Sequence, residues 1–164
     1  MTALLVIDMQ AGLLQRDVFK KQELLDNTNA LIAKFNDCNQ PVFLIRHTNE
    51  SFSKINTDEW QVDNRILQTG VEILFSKSHS SVFKEKKFVE ILQEMNVGRI
   101  VVCGLVTNGC VQTVCLDGLK LGFEVFLADG AHSTWHKDAE KSLMVVVILA
   151  SRSRSFSRLA HRFV

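Results

Sequence analysis

Short continuous apolar runs recur along this chain, and they constrain its fold more than any other feature. ALLVI stops at Asp8, PVFLIR runs into His47, VEILFS stops at Lys77, RIVVCGL runs into a small-residue turn at Thr107-Asn108-Gly109, and FEVFLA stops at Asp129. Each reads as a strand, and ALLVI, apolar throughout, as one buried on both faces. Between them lie helical spacings. Leu24, Leu25, Leu31, Ile32 and Phe35 mark a helix over 22–36, Phe88, Ile91, Leu92 and Met95 one over 84–96, and a third covers 109–121, capped by Gly122. Strands alternating with helices predict an α/β protein, with a mostly parallel sheet between two helical layers. The 164 residues suit one domain spanning 1–164.

Composition closes several other routes. A net charge of +1 gives no reason to expect nucleic acid or a membrane surface as partner. No apolar run approaches the ~20 residues that span a bilayer. MTALLVIDMQ lacks a basic n-region and a small-residue cleavage site, and the four cysteines, Cys38, Cys103, Cys110 and Cys115, show no CxxC spacing. A reducing cytoplasm is the expected location, and a cysteine zinc site is not expected.

In parallel α/β sheets ligands bind at the carboxyl ends of the strands. Asp8, Lys77, Asp129 and the Thr107–Cys110 turn all fall there. Cys110 sits where strand passes to helix, and a helix N-terminus or a nearby lysine would favour its thiolate. Read alone, Cys110 is better explained as a buried structural thiol and Lys77 as a solvated strand end, and Asp8 serves as well as a helix cap or an ion-pair member. Together, a carboxylate, an ammonium and a thiol make a nucleophile set. Cys103, inside a strand, reads as packing, as do Cys115 and Cys38. The irregular stretch 47–70 is a long connection, and such connections tend to carry function.

Four stretches, ALLVIDMQ at 3–10, FSKSHSSVF at 75–83, VVCGLVTNGCV at 101–111 and GFEVFLADGAHS at 122–133, carry a family resemblance in order and spacing over the first 140 residues. The chain resembles the isochorismatase-like cysteine hydrolases, which include nicotinamidases, N-carbamoylsarcosine amidases and ureidoacrylate hydrolases. The resemblance implies a catalytic triad of Asp8, Lys77 and Cys110, and a cis peptide at Val106–Thr107. It also implies an oxyanion-binding turn over Val106, Thr107 and Cys110. The reaction implied is hydrolysis of a C–N bond in a small amide or ureido substrate through a thioester. A homo-oligomer, dimer or tetramer, follows from the same resemblance. His47, Phe52, Trp60, Phe83 and Asn108 are candidate substrate contacts, although ordinary core packing is the better single explanation for each aromatic residue. Asp129, His132 and Ser133 are expected to support the site from behind.

Departures from the family matter too. Nicotinamidases carry an Asp-x-His…His cluster after the second strand. Here RHTNESFSKINTDEW offers only His47, so no metal and no other cofactor is expected. The last stretch departs further. LMVVVILA at 143–150 is continuously apolar, and SRSRSFSRLAHRFV at 151–164 has four arginines and no acid. This reads as a divergent tail, an oligomer contact or an altered reading frame. Two rival functions remain on the same fold: a thiol redox sensor built on Cys110, or a non-catalytic oligomeric scaffold.

Overall fold

The computed structural model describes residues 1–51, 53–139 and, by backbone alone, 156–159. Six parallel strands form one sheet: β1 (Thr2–Ile7), β2 (Val42–His47), β3 (Ile73–Lys77), β4 (Arg99–Leu105), β5 (Glu124–Ser133) and β6 (Phe156–Leu159). Their order is β3-β2-β1-β4-β5-β6. The α-helices among the described residues are α1 (Ala11–Leu14), α2 (Lys21–Asp37), α3 (Lys86–Glu94) and α4 (Gln112–Lys120).

β1 shows why the apolar runs do not alternate. Ala3, Leu5 and Ile7 join the core beneath α3 and α4, with Phe88, Leu92, Val111 and Val114. Leu4 and Val6 join the core beneath α1 and α2, with Leu13, Leu14, Leu24, Ile32 and Phe35. Both faces of the strand are covered, so both sets of side chains must be apolar. The expected three-layer arrangement is present.

β4 lies against β1 with a close approach at Gly104. This residue adopts φ +108°, and a Cβ there would lie 2.1 Å from the Ile7 carbonyl oxygen. Only glycine fits such a contact. Helix α4 ends in a Schellman turn: Phe123 N–H donates to Gly118 O at 3.0 Å and Gly122 N–H to Leu119 O at 3.1 Å, with Gly122 at φ +89°.

Three boundaries differ from expectation. β5 does not stop at Asp129 but runs on to Ser133. Its register against β4 jumps from Val102↔Leu127 to Gly104↔His132, so β5 bulges over Ala128–Ala131 and then pairs again. The polar pair Asp129-Gly130 marks the bulge rather than the strand end. The helix expected over 109–121 starts instead at Gln112, after a turn over Thr107–Val111 in which Gly109 adopts φ −139°, ψ −113°. The region 47–70 is not featureless: it contains a 3-10 turn at Asp58–Trp60 and a bridge between Gln10 and Val62. In the tail, 156–159 pairs with β5, from Val125↔Phe156 to Ala128↔Leu159. The apolar run 143–150 lies outside the described residues. No helix among those described is long and apolar enough to cross a membrane.

Candidate functional site

The sheet order reverses between β1 and β4, because the chain runs outward from β1 to β3 and then returns to the other side through β4. Such a switch point opens a crevice at the carboxyl ends of the strands. Adjacent strands each deliver one side chain to it. Lys77 ends β3, His47 ends β2 and pairs with Lys77 in register, Asp8 follows β1, and Cys110 lies in the turn after β4.

The Lys77 ammonium is the centre of this group. Its Nζ lies 3.0 Å from Asp8 Oδ2, 3.2 Å from His47 Nδ1 and 3.4 Å from Cys110 Sγ. The Lys77 side chain is 0% exposed and that of Asp8 4%. A buried ammonium is tolerable only when its hydrogens are taken up and its charge is balanced, and here both conditions hold. Asp8 adopts φ +54° immediately after the strand, a left-handed turn in which a short polar side chain is tolerated. Its second oxygen, Oδ1, is buried and accepts no hydrogen bond among the described residues.

Cys110 is half-buried beside this ion pair. Burial pushes its thiol up to about 12; the Asp8 charge adds to the rise and Lys77 opposes it. This corrects the expectation of a thiolate held by the helix terminus. Cys110 precedes Gln112, the first residue of α4, and its immediate neighbours are a cation and an anion rather than the helix end alone. This favours the thiol form of Cys110, with the Asp8 carboxylate close by.

The turn carrying Cys110 is fixed from both sides. The N–H groups of Gly109 and Val111 both donate to Val106 O, at 2.9 and 3.3 Å; the Cys110 N–H lies between them in sequence. Thr107 Oγ1 lies 2.8 Å from His132 Nδ1, and Thr134 Oγ1 donates to Asn108 Oδ1 at 2.6 Å. Ser133 Oγ donates to Phe19 O. His132 and Ser133 thus brace the turn and its surroundings. Asp129 is instead exposed within the β5 bulge, four residues short of the strand end. A cis peptide is present at Leu105–Val106, one bond earlier than the expected Val106–Thr107, where the chain leaves its pairing with Ser133.

Of the described candidate substrate contacts, His47 lies beside Cys110 and Asn108 shares its turn. Phe83 is core: it stacks on Phe123 at 5.5 Å and meets Phe88 edge-on at 5.7 Å. Trp60 packs the loop instead. Its ring lies 3.6 Å beneath the Arg46 guanidinium, and its Nε1 donates to Thr48 Oγ1 at 2.9 Å. Phe52 lies outside the described residues.

Sequence reasoning missed Gln10. Fully buried, its Nε2 donates to His47 O (3.0 Å), Ser53 Oγ (2.7 Å) and Trp60 O (2.9 Å), while its Oε1 accepts from His47 N at 2.8 Å. Two amide hydrogens serve three acceptors, so one is shared. The signal was a glutamine three residues past a buried strand, where an unpaired amide would be costly.

Asp8, His47 and Cys110 place an oxygen, a nitrogen and a sulfur within 4.8 Å of one another. This donor set does not fit a divalent ion, because the Lys77 ammonium already stands among the three atoms. A second cation there would stand beside the ammonium and compete with it for the single Asp8 charge.

A family profile described as the isochorismatase domain matches residues 2–149. Among curated proteins the chain is similar to Nicotinamidase 3 of Arabidopsis thaliana, with 26% identity over 159 residues, 87% of this chain and 78% of that protein. Among solved structures it is similar to a cysteine hydrolase from Pseudomonas syringae pv. phaseolicola, with TM-score 0.87, 18% identity, and coverage of 99% of this chain and 90% of that one. The pyrazinamidase of Pyrococcus horikoshii, solved in complex with zinc, gives TM-score 0.81 and 24% identity, with coverage of 96% and 98%. At these identities the structural likenesses speak to the fold.

Proposed function

Because the chain belongs to the isochorismatase family, we propose that it is a cysteine-dependent hydrolase of a C–N bond in a small amide or ureido substrate, with Asp8, Lys77 and Cys110 as its catalytic residues. One observation carries this reading. Asp8 gives one oxygen to Lys77 and keeps the other buried without a partner, beside a thiol that Lys77 also contacts. A buried acceptor left unpaired is unfavourable in a resting structure, and it is useful where a proton must arrive.

In the proposed reaction the Cys110 S–H proton passes to Asp8 Oδ1 as sulfur bonds to the substrate carbonyl carbon. The carbonyl electrons move to oxygen, and the Cys110 N–H donates to that oxyanion. Lys77 balances the charge that moves between thiolate and carboxylate. When the C–N bond breaks, Asp8 returns its proton to the leaving nitrogen. Water then attacks the thioester, Asp8 takes a water proton, the C–S bond breaks, and Asp8 reprotonates the thiolate. The high resting position of the thiol suits this scheme, in which Asp8 acts as a general base during attack.

The amide class is supported by a relative, Nicotinamidase 3, whose name denotes an amide substrate. The test is ammonia release from a panel of small primary amides and ureido compounds. Wild-type protein is expected to turn over at least one, and Cys110→Ala to lose turnover with unchanged circular dichroism. Full turnover by Cys110→Ala would end the proposal.

A further inference from the structure

An ammonium has three hydrogens and no lone pair, and three acceptors surround Lys77: Asp8 Oδ2, Cys110 Sγ and His47 Nδ1. The first two belong to the reaction proposed above. The third has no part in it. His47 Nδ1 can accept from Lys77 only if the ring is neutral with its proton on Nε2. Two further features favour that form. The imidazole has a hydrogen bond with the His79 main chain that favours the protonated ring, so the ring is its donor. Nδ1 faces Lys77, which leaves Nε2 as the donating atom. The His47 main chain is also pinned, N–H and C=O together, by the buried Gln10 amide, which aims the ring along the sheet edge.

We infer that His47 is a positioning residue, a neutral Nε2–H imidazole whose Nδ1 takes the third Lys77 hydrogen and holds the ammonium between Asp8 and Cys110. The charged and titratable groups facing the ring are Asp8 from the β1 end, Lys77 from β3, Cys110 from the turn after β4, and His79 from the segment after β3. His79 itself pairs with Glu85, Nδ1 to Oε1 at 3.3 Å. Burial first, and then the Lys77 charge, hold His47 below its ordinary 6.5, while Asp8 pulls it upward. Protonating His47 would set two cations 3.2 Å apart and release the ammonium from one of its three anchors. The consequence for turnover rests on the hydrolase reading; the tautomer does not.

The test therefore has two arms. Proton–nitrogen correlation spectra of nitrogen-15-labelled protein report which ring nitrogen carries the proton, and His47→Asn identifies the resonance by its loss. The expected result is the Nε2–H tautomer near neutral pH, with titration below 6.5. Lys77→Met should then move that titration upward. If Lys77→Met does not fold, the wild-type tautomer alone decides. An Nδ1–H tautomer, or a ring charged at neutral pH, overturns the assignment whether or not the protein is a hydrolase. The second arm is ammonia release against pH. Asn keeps an acceptor near the Nδ1 position but does not titrate, so His47→Asn should retain turnover and shift its acid limb to lower pH. His47→Leu should lose roughly tenfold to a hundredfold, the scale of one hydrogen bond to a charged group. Equal loss in both variants would mean that the ring is needed for its shape, and would refute the acceptor role.

Discussion

Lys77→Met replaces a buried ammonium with an apolar side chain of similar length, so little cavity is expected. What changes is charge. Asp8, with its side chain 4% exposed, loses the cation that lies 3.0 Å away. Removing one partner of a buried ion pair costs about 3–5 kcal/mol, because the remaining charge is left uncompensated. For a chain of this length each kcal/mol moves the melting temperature by roughly 2–4 °C, so the variant should melt about 6–20 °C lower. Adding Asp8→Asn removes the orphaned charge, and asparagine tolerates the left-handed turn at that position. The double variant should therefore be more stable than Lys77→Met alone. The assay is thermal and urea unfolding by circular dichroism at neutral pH, arranged as a double-mutant cycle. The reasoning is refuted if Lys77→Met melts with the wild type, or if the two single losses simply add.

Asp8→Asn alone should move two observables in opposite directions. The Asp8 charge raises the Cys110 thiol and Lys77 lowers it, so iodoacetamide should alkylate Cys110 faster in the variant while ammonia release is lost; slower alkylation would contradict the charge arrangement. Asp63 gives an acid-stability signature. Arg65 grips its carboxylate with two hydrogen bonds of 2.7 Å and holds it below its ordinary 3.8. A depressed folded-state value means that the stability is present above 3.8 and is lost as pH falls below it toward the folded value. Asp63→Asn should lower stability at neutral pH and flatten the loss below 3.8, and an unchanged acid limb would count against the pair. Gln10→Leu deletes four hydrogen bonds, two to His47 at the end of β2 and two to the loop after it. Amide exchange over 47–61 should quicken while β4 stays protected; uniform exchange across both would show that Gln10 is not the anchor.

How far the chain could be read from its residues depended on whether local pattern or distant contact decided each feature. The strand before Asp8 was legible because a strand covered on both faces must be apolar throughout. The nucleophile set was legible because strand ends in a parallel sheet share one edge. β5 misled because Asp129-Gly130 has turn composition, and only the renewed pairing of Gly104 with His132 shows that the strand continues. Phe83 and Trp60 were ambiguous because an aromatic residue near a strand end packs inward or lines a pocket with the same sequence signature. Trp60 was settled by Arg46, fourteen residues earlier and stacked on its ring. The resting state of Cys110 could not be read at all. A helix terminus is local, whereas the burial that raises the thiol, and after it the opposing charges of Asp8 and Lys77, come from elements distant in the chain.

The reversed strand order has a consequence for assembly of the protein on the ribosome. β1 is made before the other five strands, yet it is an interior strand, flanked by β2 and by β4. One of its edges is filled early. The other stays open until Arg99–Leu105 has emerged, with Gly104 seated against Ile7. Until then a strand apolar on both faces presents a bare edge, the condition that invites pairing with other chains. Asp8, His47 and Lys77 could already lie side by side at that stage, but Cys110 is added only when β4 closes the gap. The complete group of four thus exists in no shorter fragment, and the acquisition of a thiol beside Lys77 marks the moment when the nascent sheet no longer has an open centre.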